Sequence, residues 1–407
     1  MDRPLKGVRV IALEQYMAGP YCSMLLADAG AEVIKVERPS IGDPRRSIPP
    51  FVENNGIKKA GGFMAYNRNK KSLALNIRND EGKKVYQDLV KNADVVVENL
   101  RPGSVDKLGL GYHDLKTLNP KLIYAAISGF GRLEGYEGQD SKRLAFDIVA
   151  EAMSGIMHLV GFDDKPPSWT IYGMADVYTG LCTSFAITQA FFMRERTGKG
   201  QFVDSAMLDN MISLNERMAM NYSITGEEPH RGRLTHLYPR GAFKCKDGYL
   251  AMNIPNDLVW GRFCKAIGHE NLIRDDRSKT GTARASNAEF LAPIIEEWLS
   301  QKTRSEAENI LNENGVPVGS VYTAKDVFES EQVKSRKALV DINDPDVGTY
   351  QFARGPVMLS DSPEIETNPA PDLGQHTMNI LSKILHYSHE KIDKLAKSET
   401  IGINSKI

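Results

Sequence analysis

Long apolar runs and paired cysteines are missing from this sequence of 407 residues. No stretch approaches the ~18 consecutive apolar residues of a spanning helix, and the opening MDRPLKG lacks the features of a signal peptide. The four cysteines, at positions 22, 182, 245 and 264, lie far apart without a CxxC pair, which is typical of free thiols in a reducing compartment. We therefore expect a cytoplasmic protein that has no membrane partner.

An excess of charge of either sign is missing as well. The chain has 51 basic and 52 acidic residues, a formal net charge of -1, whereas nucleic-acid binding favours a basic excess. His386 and His389 have helical spacing, but no further donors accompany them, and zinc sites usually need three or four. We expect neither a nucleic-acid partner nor a metal site, so local basic clusters must hold any anionic ligand.

The glycine fingerprint of dinucleotide-binding proteins is absent too. The turn YMAGP at 16–20 has one glycine where that fingerprint has three, so NAD or FAD binding in the usual mode is not expected. Two interpretations of the turn remain open. It is a tight turn with proline at the first helical position, or an anion site at a helix N-terminus.

What the sequence does contain is an alternation of strand-like and helix-like segments. Two β-branched runs, 8–13 and 32–37, flank a helical stretch that begins with Pro20 and ends with Gly30. This βαβ pattern continues with strands at 72–77, 94–98 and 122–128 and a helix over 81–92. It predicts an α/β fold with a doubly wound, Rossmann-like parallel sheet that binds ligands beyond the carboxyl ends of its strands.

The length of the chain favours two domains, because one hydrophobic core stops growing at ~250–300 residues. We predict a large domain over 1–225, a Gly-, Pro- and Arg-rich linker over 226–248, and a smaller α/β domain over 249–325. The remainder, 326–407, is predicted to be a linker followed by a C-terminal amphipathic helix over 377–397, which returns to the large domain.

Basic residues cluster near the ends of two predicted strands. Such clusters are either solvated surface or sites for a phosphate-bearing ligand. Their members are Lys35, Arg38, Arg45 and Arg46 in one segment and Arg68, Lys70 and Lys71 in the other. The segment ENLRPG at 98–103 adds an Asn and an Arg just beyond an apolar strand, where a doubly wound sheet places its ligand.

Asp176 stands at the start of a helix predicted over 176–195. Asp is a favoured N-cap residue, so a purely structural role is one interpretation. A helix N-terminus also stabilises an ionised carboxylate, which is the form that a nucleophile needs. Both interpretations fit the residue type and its position.

Taken together, these segments resemble the CaiB/BaiF family, the family III CoA-transferases. The resemblance extends over nearly the whole chain, and it depends on the order and spacing of several short motifs. These are AGP at 18–20, GAEVIKVERP at 30–39, NRNKKSLALN at 67–76, ADVVVENLRPG at 93–103, SGFG at 128–131, FDIVAEAMSGIM at 146–157, RTGKGQFVD at 196–204 and LGQHT at 373–377.

The resemblance implies an enzyme that moves coenzyme A from a donor acyl-CoA to an acceptor carboxylic acid. Asp176 is the nucleophile, and the intermediates are a mixed anhydride and an aspartyl-CoA thioester. Coenzyme A is a substrate, with no permanently bound cofactor, and two chains form an interlocked homodimer. The implied coenzyme A contacts are Arg38, Leu73, Ala74, Leu75, Asn99, Leu100, Arg101, Lys107 and Arg143.

Two alternatives remain beside this interpretation. The first is a 2-methylacyl-CoA racemase, but the position of the family's proton-accepting His is Phe146, and a phenyl ring accepts no proton. The second is a non-catalytic acyl-CoA-binding protein, against which Asp176 argues. Formyl-CoA transferases have a Gln where this chain has Met17, and a glycine-rich loop where it has residues 253–257, which makes formyl-CoA and oxalate poorer candidate substrates.

Overall fold

We describe residues 2–232 and 237–404 from a computed structural model of the chain. Its strands, β1 to β14 in chain order, are Arg9–Leu13, Glu32–Glu37, Phe51–Asn54, Ile57–Ala60, Lys70–Leu75, Val95–Glu98, Ile123–Ser128, Phe202–Ala206, Arg240–Cys245, Gly248–Asn253, Val318–Ser320, Leu339–Asp344, Gly348–Ala353 and Ile401–Gly402.

Helices connect most of these strands. In chain order, α1 to α17 are Ala18–Asp28, Gly61–Met64, Asp80–Val90, Tyr112–Leu118, Asp147–Met153, Ile156–Leu159, Met174–Thr197, Met207–Leu214, Glu216–Thr225, Asp257–Ala266, Gly281–Ser286, Ala288–Ser300, Arg304–Glu313, Ala324–Glu329, Glu331–Ser335, Thr377–Asn379 and His389–Lys397. Short 3₁₀ turns at Pro44–Ser47 and Asp106–Leu108 matter for the site described below.

The chain divides into two compact units. The first contains Met1–His158, Trp169–Thr225 and Lys337–Ile407, and the second contains Leu159–Ser168 and Gly226–Arg336. The chain thus leaves the first unit and later returns to it. Residues 233–236 of the predicted linker and the last three residues of the predicted C-terminal segment lie outside the described residues.

The first unit is built on a sheet with the strand order β14-β5-β2-β1-β6-β7-β8. Every pair from β5 to β8 is parallel, and only the two-residue edge strand β14 is antiparallel. From β1 the order proceeds outward through β2 and β5 on one side and through β6 to β8 on the other. The reversal lies between β1 and β6, where such sheets bind their ligands at the carboxyl ends.

Helices cover both faces of this sheet, which explains why its strands are nearly continuous apolar runs. One face packs against α3, α4 and α17, through side chains such as Leu89 and Leu115. The other face packs against α1 and α7, through side chains such as Leu26 and Ile187. The fold is therefore mixed α/β with a parallel-rich central sheet, as the sequence predicts.

The second unit has an antiparallel sheet in the order β11-β10-β9. Its core joins this sheet to α10, α12 and α13, with Trp260, Phe263 and Leu299 among the fully buried side chains. Strand β9 lies within residues 226–248, the segment predicted to be a linker. This Gly-, Pro- and Arg-rich segment has little period-two patterning, so the sequence did not indicate the strand.

Several predicted element bounds differ from the structure. The strand predicted over 72–77 is Lys70–Leu75, since it begins with two lysines, of which Lys70 is buried and Lys71 is partly exposed. The helix predicted over 377–397 is interrupted. It begins as α16, continues as a π-helical turn over Ile380–Ile384, and resumes as α17 only at His389, where Ser388 accepts a hydrogen bond from the Lys391 N–H as N-cap.

Candidate active site

Asp176 lies in the first turn of α7, but it does not cap the helix. The N-cap position is Gly173, whose φ of +85° suits glycine. The free N–H groups of the helix terminus donate instead to the Asp147 carboxylate, from Gly173 at 3.1 Å, Ala175 at 2.7 Å and Asp176 at 3.2 Å. The cap interpretation of Asp176 is wrong, because Asp147 supplies the acceptor from the start of α5.

The environment of Asp176 makes its ionisation costly. Its carboxyl group is partly buried, and loss of solvent together with the neighbouring Asp147 charge raises its pKa to about 7. The positive charge of Arg45 acts in the opposite direction. A carboxyl group whose pKa lies near 7 is poorly solvated when it is ionised, and its anion is therefore reactive. Groups with such shifted pKa values concentrate at functional sites.

Close packing of two helices fixes the turn that carries Asp176. Gly180, one turn further along α7, is buried against α1, and a Cβ there would lie 2.6 Å from the Ala18 carbonyl oxygen. Only glycine permits this approach of the backbones. The N-terminal turns of α1 and α7 are thereby held side by side, and Met17 of the YMAGP turn reaches Gly173.

Arg45 and Tyr66 complete the surroundings of Asp176. The Arg45 guanidinium lies 5.6 Å from the centre of the Tyr66 ring. Burial raises the pKa of Tyr66, and the charge on Asp176 adds to this effect. Arg45 belongs to the 3₁₀ turn Pro44–Ser47, whose N-cap Asp43 accepts hydrogen bonds from the backbone N–H groups of Arg45 and Tyr16. These contacts join the YMAGP turn to the chain that follows β2.

Most of the basic residues predicted to be solvated surface or phosphate ligands form internal ion pairs, so both interpretations are wrong for them. Lys35 and Lys70 are buried and share Glu14, at 3.7 Å and 2.8 Å. Arg68 is buried and forms an ion pair with Asp28 at 2.6 Å, and Arg46 forms one with Glu37 at 2.7 Å. Glu14 and Asp28 are distant in sequence from the cations they pair with, and each basic segment has more basic than acidic residues, so a local count of charge indicated free cations.

The remaining members of the basic clusters differ in their surroundings. Lys71 is partly exposed and pairs with Glu32 at 2.6 Å, and Arg38 is exposed just beyond β2. Arg45 is buried without an acidic partner in the described part of the chain. Arg45 is thus the member whose charge remains available inside the protein.

A cavity of about 970 Å³ opens beyond the carboxyl ends of β6 and β7. Arg101 and Lys107, two of the predicted coenzyme A contacts, both line it, together with Lys142, His113 and Tyr124. The segments after β6 and β7 supply most of its lining, and a parallel sheet binds its ligands beyond the carboxyl ends of its strands. The structure therefore brings these two cations together at one concave surface.

Asn99 and Leu100 lie between β6 and that cavity. The Asn99 side chain accepts a hydrogen bond from the Gln15 N–H at 2.8 Å and donates to the Gln15 carbonyl at 2.7 Å. It therefore ties the chain after β6 to the chain after β1. The Leu100 N–H donates to the buried Glu98 carboxylate at 2.9 Å, which fixes the start of the ENLRPG turn.

The other predicted contacts lie apart from the cavity lining. Leu73, Ala74 and Leu75 are buried inside β5, between β2 and β14, so their side chains belong to the core. Arg143 is exposed, 3.6 Å from Asp140 and 5.5 Å from the centre of the Phe130 ring.

One departure from the racemases, Phe146, and one from formyl-CoA transferases, residues 253–257, have structural counterparts. Phe146 is 59% exposed and makes an edge-to-face contact with Tyr16 at 5.7 Å. In the second unit, residues 253–257 form a fixed connection rather than a glycine-rich loop. Ile254 is fully buried, Asn256 caps α10, and Asp257 pairs with Arg284 at 2.8 Å.

Sequence reasoning did not assign a role to Asp147. The sequence pointed to Asp147 only through its place after Phe146 in the FDIVAEAM motif. Its carboxylate accepts hydrogen bonds from backbone groups 26 to 29 residues away, which the local sequence does not reveal.

No cluster of three or more His, Cys, Asp or Glu side chains suited to a metal ion occurs in the ranges 2–232 and 237–404. Within the same ranges, no helix is long and apolar enough to span a membrane.

Comparison with known proteins identifies the family of this chain. Residues 5–377 match the family model of CoA-transferase family III. The chain is 37% identical over 402 residues to a succinyl-CoA:glutarate CoA-transferase of Mus musculus, covering 98% of this chain and 90% of that protein. It is also 37% identical over 385 residues to a succinyl-CoA:mesaconate CoA-transferase of Haloarcula marismortui, covering 93% and 96%.

A solved structure shows the same fold. The crystal structure of a CaiB/BaiF family protein from Brucella suis matches with a TM-score of 0.85 at 36% identity, covering 94% of this chain and all of that one. The family model, the relatives and the solved structure all match most of the chain. The resemblance seen in the sequence motifs is thereby confirmed: the chain belongs to CoA-transferase family III and is a CoA-transferase.

Proposed function

We propose that Asp176 is the nucleophile of this CoA-transferase. Its carboxylate attacks the carbonyl carbon of the donor acyl-CoA, and the C–S bond breaks to give a mixed anhydride and CoA thiolate. The thiolate then attacks the Asp176 carbonyl carbon, which releases the donor acid as a carboxylate and leaves an aspartyl-CoA thioester. Two easier displacements replace one difficult one.

The second half of the reaction runs these steps in reverse. The acceptor carboxylate attacks the Asp176 thioester and expels the thiolate, which attacks the acceptor carbonyl of the new anhydride. The product acyl-CoA leaves, and the Asp176 carboxylate is regenerated. No net proton, water or ATP enters this sequence, because a thioester bond is present at the start and at the end.

The observation that carries the proposal is the state of Asp176 itself. It sits in the first turn of α7 with its capping role taken by Asp147, so its own carboxylate is free for chemistry. Partial burial makes that carboxylate poorly solvated, which strengthens it as a nucleophile. By contrast, the racemase alternative draws no support from Phe146, whose ring contacts Tyr16.

Coenzyme A is proposed to bind beyond the carboxyl ends of the sheet. The cavity lined by Arg101 and Lys107 supports this placement, since Arg and Lys side chains suit its phosphates. The other proposed contacts fall on Arg38, Asn99, Leu100, Arg143 and the backbone of the Leu73–Leu75 segment. If Arg101 and Lys107 bind phosphates, replacing either by Ala should raise the KM of every acyl-CoA by a similar factor.

Dicarboxylic acids are the proposed acyl groups and acceptors. The names of the Mus musculus and Haloarcula marismortui relatives support this class, since both include succinyl-CoA and a second dicarboxylic acid. The test is incubation with succinyl-CoA and a panel of mono- and dicarboxylic acids, with acyl-CoA products identified by mass. New dicarboxylic acyl-CoA is expected. Deuterium exchange at the α-carbon without transfer would indicate a racemase, and binding without turnover a binding protein.

The proposed assembly is an interlocked homodimer of two-domain chains. The excursion of the chain from the first unit into residues 226–336 and back supports it, because interlocked rings need two crossing segments. Exposed apolar residues on α7 and α9 also support it: Phe185 is 63% exposed, Phe192 62% and Ile224 78%. The four free cysteines agree with the proposed cytoplasmic location.

A further inference from the structure

Arg45 is a buried cation whose hydrogen-bonding capacity is only partly used. Its side chain is 6% exposed. The Nε–H donates to the Gly62 carbonyl at 2.7 Å, and Nη1 is buried without a hydrogen-bond partner. Its neighbours Lys35, Arg46 and Arg68 all pair with acids, whereas Arg45 forms no ion pair among the described residues. A buried guanidinium without a counter-ion is costly, which indicates that an anion occupies this position during function.

The position of the guanidinium is fixed from several sides. Asp43 holds the Arg45 backbone through the N–H bond at 3.0 Å and is itself held by Lys35 at 2.9 Å. The Gly62 carbonyl fixes Nε, and a Cβ at Gly62 would lie 3.1 Å from Nη2. The guanidinium therefore has little freedom to turn toward solvent.

The same guanidinium is close to the reacting centre. It lies 5.6 Å from the centre of the Tyr66 ring, and its charge acts on both Tyr66 and Asp176. It does not pair with Asp176 directly, since no ion pair within the structure's described ranges joins them. The charged and titratable groups related directly to it are Asp43, through its backbone N–H, and Tyr66 and Asp176, on which its charge acts.

We propose that Arg45 selects dicarboxylic acyl groups by binding the carboxylate that does not react. When Asp176 attacks one carbonyl of a short diacid, the other carboxylate is placed against Nη1 of Arg45 beside the Tyr66 ring. A charge-assisted hydrogen bond in a site that excludes water gives strong discrimination, because a substrate without that carboxylate leaves the buried cation unpaired. This inference rests on the proposed function, whose nucleophile it takes as given.

The test compares two acyl-CoA substrates of equal chain length. Succinyl-CoA has the distal carboxylate, and butyryl-CoA has a methyl group in its place. In Arg45→Met, kcat/KM for succinyl-CoA should fall by about 30-fold or more, while kcat/KM for butyryl-CoA should change by less than about 3-fold. Measurement at about pH 9 keeps Asp176 ionised in every variant, so a changed pKa of Asp176 does not enter the comparison.

Two further variants separate recognition from a loss of structure. Gly62→Ala keeps the positive charge but crowds Nη2, so it should also weaken succinyl-CoA selectively, by a smaller factor. Arg46→Met is the matched control. Arg46 is committed to Glu37 and the Pro371 carbonyl, so its loss should affect both substrates by the same factor.

Three outcomes would overturn the assignment of Arg45. One is an equal loss for both substrates in Arg45→Met while the protein remains folded and binds coenzyme A. Another is an unchanged preference for succinyl-CoA. The third is an Arg46→Met variant that discriminates as strongly as Arg45→Met. Failure of the proposed function is distinguishable from all three, because Asp176→Ala would then retain transfer of coenzyme A from succinyl-CoA.

Discussion

Asp176 and Asp147 form a pair of carboxylates with different tasks, set by their surroundings. The Asp147 carboxylate accepts three backbone hydrogen bonds, whereas Asp176 is partly desolvated and feels the Asp147 charge. Desolvation and a like charge nearby both disfavour ionisation of Asp176, so this group can change state near neutral pH.

This arrangement predicts the pH dependence of the enzyme. The nucleophile must be ionised, and the pKa of Asp176 is raised to about 7, so kcat/KM should fall as the pH drops below that value. Asp147→Asn keeps a side-chain oxygen for the helix N–H groups but removes the repelling charge. The pKa of Asp176 should then fall, and the acidic limb of the profile should move to lower pH.

The pH–rate profiles of the unaltered enzyme and of Asp147→Asn measure this shift in the pKa of Asp176. Asp80→Asn serves as the control, because Asp80 is exposed in the first turn of α3 and its loss should leave the profile in place. An acidic limb that stays fixed, or moves to higher pH, in Asp147→Asn would contradict the proposed coupling.

At this scale the sequence indicated the proposed nucleophile but not the contacts that support it. Asp176 was recognisable from its place before a helix and upstream of RTGKG, although the residue type alone also allowed a cap. The role of Asp147 was not predictable, since nothing local in the sequence places its carboxylate at the start of α7. The buried pairs Lys70–Glu14 and Arg68–Asp28 were likewise hidden, because their members are brought together only by folding.

Among the elements, the contact between α1 and α7 determines where the Asp176 turn lies. Gly180 is the residue that permits it, because a methyl group would lie 2.6 Å from the Ala18 carbonyl oxygen and 3.2 Å from the Cys22 nitrogen. Gly180→Ala should therefore force the helices apart at a cost of about 1–3 kcal/mol in the free energy of unfolding. It should also lower kcat by displacing Asp176.

Gly261 in α10 offers a matched control. It is also a helical glycine, but a Cβ there has no neighbour within 4 Å, so Gly261→Ala should stabilise the protein by up to about 1 kcal/mol. Thermal unfolding and kcat of Gly180→Ala and Gly261→Ala test this expected difference in stability and activity. Equal effects at both positions would mean that the close approach of α1 and α7 is unimportant.

Elements with strong apolar patterning were predictable, and interrupted ones were not. The strands β1, β2, β6 and β7 follow their β-branched runs closely, and the helix predicted over 176–195 extends from Met174 to Thr197. After β8 the chain forms two separate helices, α8 and α9, that meet at Asn215, and the C-terminal helix is broken. Amphipathic periodicity continues across such breaks, so it does not reveal them.

For the whole molecule, the exposed apolar surface of the first unit is the feature that a single chain does not explain. Helix α9 has ten residues and buries none of them, and helices this short are marginal in water without a packing partner. The proposed interlocked dimer would cover α9 and the Phe185–Phe192 face of α7.

Such a dimer should not dissociate without unfolding. Interlocked chains bury far more than the ~1,200–2,000 Å² of a standard interface, so sedimentation should show one dimeric species at every dilution. Ile224→Glu should destabilise the fold and the dimer together, because a charge would be placed in the covered surface. A folded, active monomer at low concentration would exclude the interlocked arrangement.

The central claim, covalent catalysis by Asp176, is tested most directly by trapping the activated carboxyl group. Hydroxylamine added during turnover of succinyl-CoA should convert Asp176 to a hydroxamate, seen as a mass shift of the peptide that contains it. The shift should be absent without acyl-CoA, and Asp176→Ala should remain folded, bind coenzyme A and transfer none. Retained transfer in that variant, or a hydroxamate at another carboxylate with Asp176 unmodified, would contradict the account.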